Sequence, residues 1–247
     1  MVLEQFTGLV RRCVEDYEMI APGDGVLVGV SGGKDSLALL AALAGLRRYY
    51  PKAFTLRAVT VDAGWPGVDF GPVAEFCEKL EVPYRVIPTE FARIVFEERK
   101  ESNPCSLCAK MRRGVLSDAV KAEGCTKLAL AHNFDDAVET FFMNQVFTGR
   151  LGCFEPVTYM DRSGVTVIRP MLYAGEGTVA NLAAREGWPV VKNPCPMDRT
   201  SKRQETKELL RQLSKTYPDL KSKLFGAMQR LPLPGWEPKE HTRRPLP

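Results

Sequence analysis

The chain has little histidine: His132 and His241 are the only two among its 247 residues. It also lacks a second Cys-x-x-Cys pair beside Cys105-Ser106-Leu107-Cys108, so a closed four-ligand zinc site is poorly supplied. No uninterrupted apolar run approaches a membrane span, and Met1-Val2-Leu3-Glu4-Gln5 carries no signal-peptide pattern. The expectation is a cytoplasmic protein that does not use a membrane. Seven cysteines, an odd number in a chain this long, do not read as a disulfide framework and fit a reducing interior with metal or thiol chemistry. Neither sign of charge dominates, with 34 basic and 30 acidic residues; the net +4 permits an RNA partner without demanding one. There is no internal repeat. A hydrophobic content of 45% supplies a full core for one large domain, or one with a small appendage.

What is present is concentrated first in Val26-Leu27-Val28-Gly29-Val30-Ser31-Gly32-Gly33-Lys34-Asp35-Ser36-Leu37. A short apolar strand runs into a glycine-rich turn, and a helix-forming stretch follows at once. Gly32 and Gly33 remove the Cβ atoms, so backbone N–H groups can turn inward around an anion. The helix starting near Lys34 adds the positive end of its dipole, and Ser31, Lys34 and Ser36 add donors. The loop is built for phosphate or pyrophosphate, yet it does not have the Walker A spacing.

Apolar positions at Phe6, Leu9, Val10, Cys13, Val14 and Tyr17 predict a helix within Glu4–Ile20. Strand–helix units follow: Val26–Val30 with Lys34–Tyr50, Thr55–Val61 with Val73–Leu80, Tyr84–Ile87 with helical stretches, and Lys127–Ala131 with Asp135–Phe147. Val157–Ile168 reads as a hairpin around Asp161-Arg162-Ser163-Gly164. Thr178–Glu186 and Lys202–Leu213 read as amphipathic helices. The alternation predicts an α/β fold with a doubly wound, mostly parallel sheet and helices on both faces, binding ligands at the carboxyl ends of its strands. The expected organisation is an N-terminal helix in 1–24, the main domain in 25–230, and a proline-rich basic tail in 231–247 that builds no core.

Cys105 and Cys108 lie close enough to grip one metal centre, and Cys195 shares an Asn-Pro-Cys context with Cys105. Three thiolates on a cubane cluster leave one iron open to a non-protein ligand. A redox dithiol and half a zinc site remain alternatives for the pair. Cys13, Cys77, Cys125 and Cys153 have no close cysteine partners and read as buried, inert thiols.

The order Ser31-Gly32-Gly33-Lys34-Asp35-Ser36 after a strand resembles the PP-loop of ATP pyrophosphatases, whose fold is the adenine nucleotide alpha hydrolase type. Further along come Cys105-Ser106-Leu107-Cys108-Ala109-Lys110-Met111-Arg112-Arg113-Gly114, Ala131-His132-Asn133-Phe134-Asp135-Asp136-Ala137-Val138-Glu139-Thr140, Arg169-Pro170-Met171-Leu172, Pro194-Cys195 and Arg203-Gln204. The succession, from about Glu4 to Leu213, resembles the TtcA family of tRNA 2-thiocytidine synthetases. The resemblance implies a 4Fe-4S cluster on Cys105, Cys108 and Cys195, ATP with Mg²⁺, and sulfur insertion into an anticodon-loop cytidine of tRNA. It also implies a sulfur donor such as a cysteine desulfurase or free sulfide, and it is compatible with a homodimer. Paired terminal zinc-binding cysteine motifs, found in the thiouridine-forming relatives, are missing. Two departures stand out: Asn133 where the family often has a second histidine, and Asp198 where it often has another cysteine.

Transfer of AMP to the cytosine C2 oxygen makes that carbon attackable, and the loop Ser31 to Ser36 would hold the departing pyrophosphate. Asp35 can hold Mg²⁺ or cap the helix. Asp62, at the end of the second strand, faces the nucleotide by family analogy; a turn-forming role is the alternative. His132, Asp135 and Asp136 follow the strand Lys127–Ala131, and the carboxylates can bind Mg²⁺, move a proton or cap the next helix. Lys110, Arg112 and Arg113 follow the Cys pair, with Arg112 ranked first for stabilising phosphate and thiolate. Lys34, Arg112, Asp135 and Asp136 are thus the catalytic candidates. Arg150, Arg162, Lys202 and Arg203 are candidate RNA contacts, since a loop base must leave its stack to react. Competing readings are an iron–sulfur desulfidase acting on a thiolated base, adenylation for a nitrogen nucleophile, and a non-enzymatic iron–sulfur or nucleotide-responsive RNA-binding protein.

Overall fold

In the strand Gly25–Gly29 (β1), Val26 and Val28 face one hydrophobic core and Leu27 faces another, as a strand covered on both sides requires. The computed structural model describes residues 1–100, 104–192, 194–197, 202–230 and 235–236. The further strands are β2 (Thr55–Asp62), β3 (Tyr84–Pro88), β4 (Lys127–Ala129), β5 (Val157–Met160) and β6 (Val165–Ile168). They form a sheet of order β3-β2-β1-β4-β6-β5, parallel throughout except for β5, which pairs antiparallel with β6 as the expected hairpin. The helices are α1 (Leu3–Asp16), α2 (Lys34–Arg47), α3 (Gly71–Lys79), α4 (Phe91–Arg93, continued by a π-helical turn Ile94–Glu98), α5 (Pro104–Ala122), α6 (Phe134–Thr148), α7 (Glu176–Arg185), α8 (Lys202–Thr216) and α9 (Leu220–Arg230).

Helix α5 covers one face: Leu116, Ala119 and Val120 pack with Leu27, Val59, Leu128 and Val167. The other face carries α1, α2, α3 and α7 over Val26, Val28 and Ile168. Helix α2 is buried along almost its whole length because leucine and alanine occupy every side of it, and α1 and α7 pack against it. The doubly wound sheet is therefore present. Chain order reverses between β1 and β4, so the ligand crevice lies where these two strands end.

Helix α1 packs on the main domain, with Phe6, Val10, Cys13 and Val14 buried in the same core as β1. After residue 230, Trp236 is 1% exposed and packs edge-on against Phe225 of α9. Proline-rich composition masked this single anchoring indole. Apart from Gly235 and Trp236, the tail residues, including Pro232, Lys239 and Arg243, lie outside the described residues, as do Asn103, Asn193 and Asp198. Helix α9 itself went unread in the sequence. Among the described residues no helix is long and apolar enough to cross a membrane.

Because Leu116 closes the α5 face against the sheet, Leu116→Ala should cost about 2–5 kcal/mol of folding stability. Equilibrium urea unfolding measures this, and an unchanged midpoint would show that α5 does not seal that core.

Candidate active site

The loop 31–36 is tied together by its serines. Ser36 donates to the Gly33 carbonyl at 2.8 Å and accepts from the Ser31 N–H at 3.1 Å, so it organises the turn from inside. Gly32 adopts φ +79°, and a Cβ there would lie 2.9 Å from Cβ of Val191. The Val191 N–H donates to the Gly32 carbonyl at 2.9 Å. Glycine is thus required twice at position 32, by backbone conformation and by this close approach. The contact places the chain four residues before Cys195 directly on the PP-loop.

Lys34 opens α2 and is not free: its Nζ donates to Asp35 at 2.7 Å and lies 3.5 Å from Glu176. Asp35 accepts a second bond, 3.0 Å from Asn133 Nδ2, which joins the ends of β1 and β4 across the crevice. Asn133 caps α6, and a reciprocal capping box links it to Asp136 through two bonds of 3.0 Å. The other Asp136 oxygen accepts from Arg203 at 3.1 Å, and Arg203 also reaches Glu139 at 3.4 Å and Thr140 at 3.1 Å. Asp135 spends both oxygens elsewhere, accepting from the Glu176 N–H at 2.7 Å and from Lys221. An open cleft lies among these groups, lined by Asp35, Asn133, Asp136, Glu139, Glu176 and Arg203. Burial raises the carboxyls of Asp136 and Glu139, the latter to about 7 despite Arg203.

All seven cysteines are free thiols. Burial raises the Cys105 thiol, and next in size are the charges of Cys195 and then Cys108, so Cys105 lies within electrostatic reach of both. Arg112 Nη2 donates to Cys108 Sγ at 3.7 Å. Among the described residues no three His, Cys, Asp or Glu side chains are spaced to hold a single metal ion. Three thiolate-forming side chains are the donor chemistry that a cluster with one open corner takes. Cys13 and Cys77 are buried and Cys153 half-buried, and burial pushes Cys77 and Cys153 up to about 12, inert at neutral pH.

His132 follows β4 with its ring 4.7 Å from that of Phe154. Burial, then the charges of Arg169, Arg203 and Arg113, lower its pKa to about 3, so it is neutral at physiological pH. Asp62 accepts from the Gly64 N–H at 2.9 Å, which is the turn-forming role. Arg150 and Arg162 are exposed, and Arg203 lines the cleft with its side chain 42% exposed. Sequence reasoning missed Glu176, Glu139 and Lys207. Only the Glu139-Thr140 pair following Asp136 offered a signal.

A family model of the PP-loop domain matches residues 5–213. A tRNA-cytidine(32) 2-sulfurtransferase of Pelobacter propionicus is 39% identical over 222 residues, covering 89% of this chain and 82% of the relative. Its counterpart in Geobacter sulfurreducens is 40% identical over 222 residues, with coverages of 89% and 86%. Among solved structures, the U34-tRNA thiolase NcsA from Methanococcus maripaludis with its 4Fe-4S cluster matches with a TM-score of 0.76 at 26% identity, over 92% of this chain and 78% of that one. The NH3-dependent NAD synthetase of Campylobacter jejuni matches at 16% identity with a TM-score of 0.50, over 93% of this chain and 94% of that one, and shares the fold alone.

Two measurements probe this geometry. Gly32→Ala should weaken ATP binding at least tenfold in calorimetric titration while costing about 1–3 kcal/mol of stability, because it strains φ and displaces Val191; normal affinity would detach the loop from the nucleotide. Glu139 has its pKa raised from 4.5 to about 7, so between these values the folded chain holds a proton that the unfolded chain has lost. Stability should therefore fall as pH rises through that window, and Glu139→Gln should flatten the slope in urea unfolding.

Proposed function

This chain belongs to the PP-loop family, among the tRNA-cytidine(32) 2-sulfurtransferases, and we propose that it forms 2-thiocytidine in tRNA by adenylating the target carbonyl and replacing its oxygen with sulfur. The observation that carries the reading is the seat of Val191 on Gly32, which brings the Cys195 segment to the nucleotide loop, together with the mutual influence of Cys195, Cys105 and Cys108.

ATP lies with its β- and γ-phosphates in the loop 31–36, where the backbone N–H groups and the N-terminus of α2 receive the charge that builds on departing pyrophosphate. Lys34 then exchanges its carboxylate partners for phosphate oxygens. Asp35 is the carboxylate best placed to share Mg²⁺ with those phosphates. The C2 oxygen of the extruded cytosine attacks the α-phosphorus, pyrophosphate leaves, and C2 now carries AMP as its leaving group. Hydrosulfide-level sulfur adds to C2 and AMP departs with the original oxygen, so one ATP yields AMP and pyrophosphate. A 4Fe-4S cluster on Cys105, Cys108 and Cys195 would supply the sulfur, replenished by a cysteine desulfurase or free sulfide. Arg112 favours the thiolate of Cys108, and its charge also suits the α-phosphate or nearby RNA phosphate. His132, neutral, takes no part as a cation. Asp135 acts by holding α7 and α9 to the site, and Asp136 by setting the start of α6 and gripping Arg203.

Anaerobic purification should yield about four iron and four sulfide per chain, and a deletion strain should lose 2-thiocytidine from its tRNA by nucleoside mass analysis. Unchanged 2-thiocytidine removes the substrate, and one zinc per chain removes the sulfur source. Cys195→Ala should keep ATP affinity, lose iron and abolish thiolation; thiolation retained without iron would overturn the scheme.

A further inference from the structure

We propose that Trp236, outside the family-matched segment, is a positioning residue for the site and acts through Phe154 on His132 and Arg169. The indole Nε1–H donates to the Phe154 carbonyl at 3.1 Å. Its own backbone carbonyl accepts from the Tyr17 hydroxyl at 3.5 Å, and Gln229 donates to that hydroxyl at 3.1 Å. Gly235, at φ +81°, lets the chain turn against Glu155: a Cβ there would lie 3.1 Å from the Glu155 side chain. Helices α1 and α9 thus grip a peg whose one polar side-chain atom fixes the residue before Glu155.

Phe154 transmits the constraint. Its ring packs against the His132 imidazole at 4.7 Å, and the Arg169 guanidinium carbon lies over it at 4.9 Å. His132 Nδ1 and Arg169 Nε are buried and have no hydrogen-bond partner among the described residues. Arg169 is otherwise held by Nη1 bonds to the Glu155 carbonyl and to Thr158 at 3.0 Å. Two unpaired polar nitrogens held against one phenyl ring are costly unless a substrate edge pairs with them. His132 precedes Asn133, which holds Asp35 of the loop. Removing the indole N–H frees the Phe154 backbone and lets that stack relax.

The test compares Trp236→Phe and Phe154→Leu in the full-length chain. The chain has two histidines, so a ¹⁵N imidazole titration isolates His132 once His241→Ala has assigned the other signal. Trp236→Phe should melt cooperatively, and His132 should titrate at least tenfold closer to its ordinary proton affinity than in the parent. The kcat for thiolation should fall about tenfold with ATP affinity unchanged, and Phe154→Leu should reproduce both effects. A lowered melting temperature with unaltered His132 titration and kcat would reduce Trp236 to packing. An effect of Trp236→Phe that Phe154→Leu does not share would refute the route. The kinetic arm rests on the thiolation reading; the titration needs no tRNA, so the two can fail separately.

Discussion

The seat of Val191 against Gly32 is the contact on which the rest of the site depends. Glycine at φ +79° leaves room that any side chain would fill, and its carbonyl takes the Val191 N–H. A phosphate-binding loop needs its inward N–H groups free, so the loop offers a neighbour only its outward carbonyl and its missing Cβ. Both are used for the same chain segment. That segment carries Cys195 only four residues later, a stretch of at most about 14 Å when fully extended.

Around this seat the crevice is an ionic lattice. Asp35, Asp136, Glu139 and Glu176 are held by Lys34, Arg203 and Lys207, with Asn133 as the neutral bridge. Half-buried pairs of this kind contribute little stability in themselves, because desolvation offsets attraction. Their consequence is spatial. Arg203 ties the start of α8 to the first turns of α6, and Asp135 ties α6 to α7 and α9. Four helices distant in sequence therefore meet at the carboxyl ends of β1 and β4.

How much of this was legible depends on the range of the interaction. The PP-loop was readable because strand, glycines, serines and helix start are contiguous, and the parallel sheet because strands alternate with helices. Asp136 was ambiguous, since the same short carboxylate suits a helix cap and a metal ion; one oxygen closes the capping box with Asn133 and the other accepts from Arg203. Asp62 accepts from the Gly64 N–H, the local turn that was its alternative reading. Glu176 and Lys207 carried no local signal: their role exists only because α7 and α8 reach the loop after β1. Trp236 was hidden for the opposite reason, one decisive indole in a composition that otherwise predicts no core.

The site is also sorted by sign. Carboxylates gather on the side of Asp35, where a divalent cation and phosphates would complete the charge balance. Arg113, Arg169 and Arg203 surround His132, and Arg112 stands by Cys108, with fewer carboxylates to match them. A polyanionic nucleic acid suits that second side and would be repelled by the first. Arg203 and Asp136 form the border between the two.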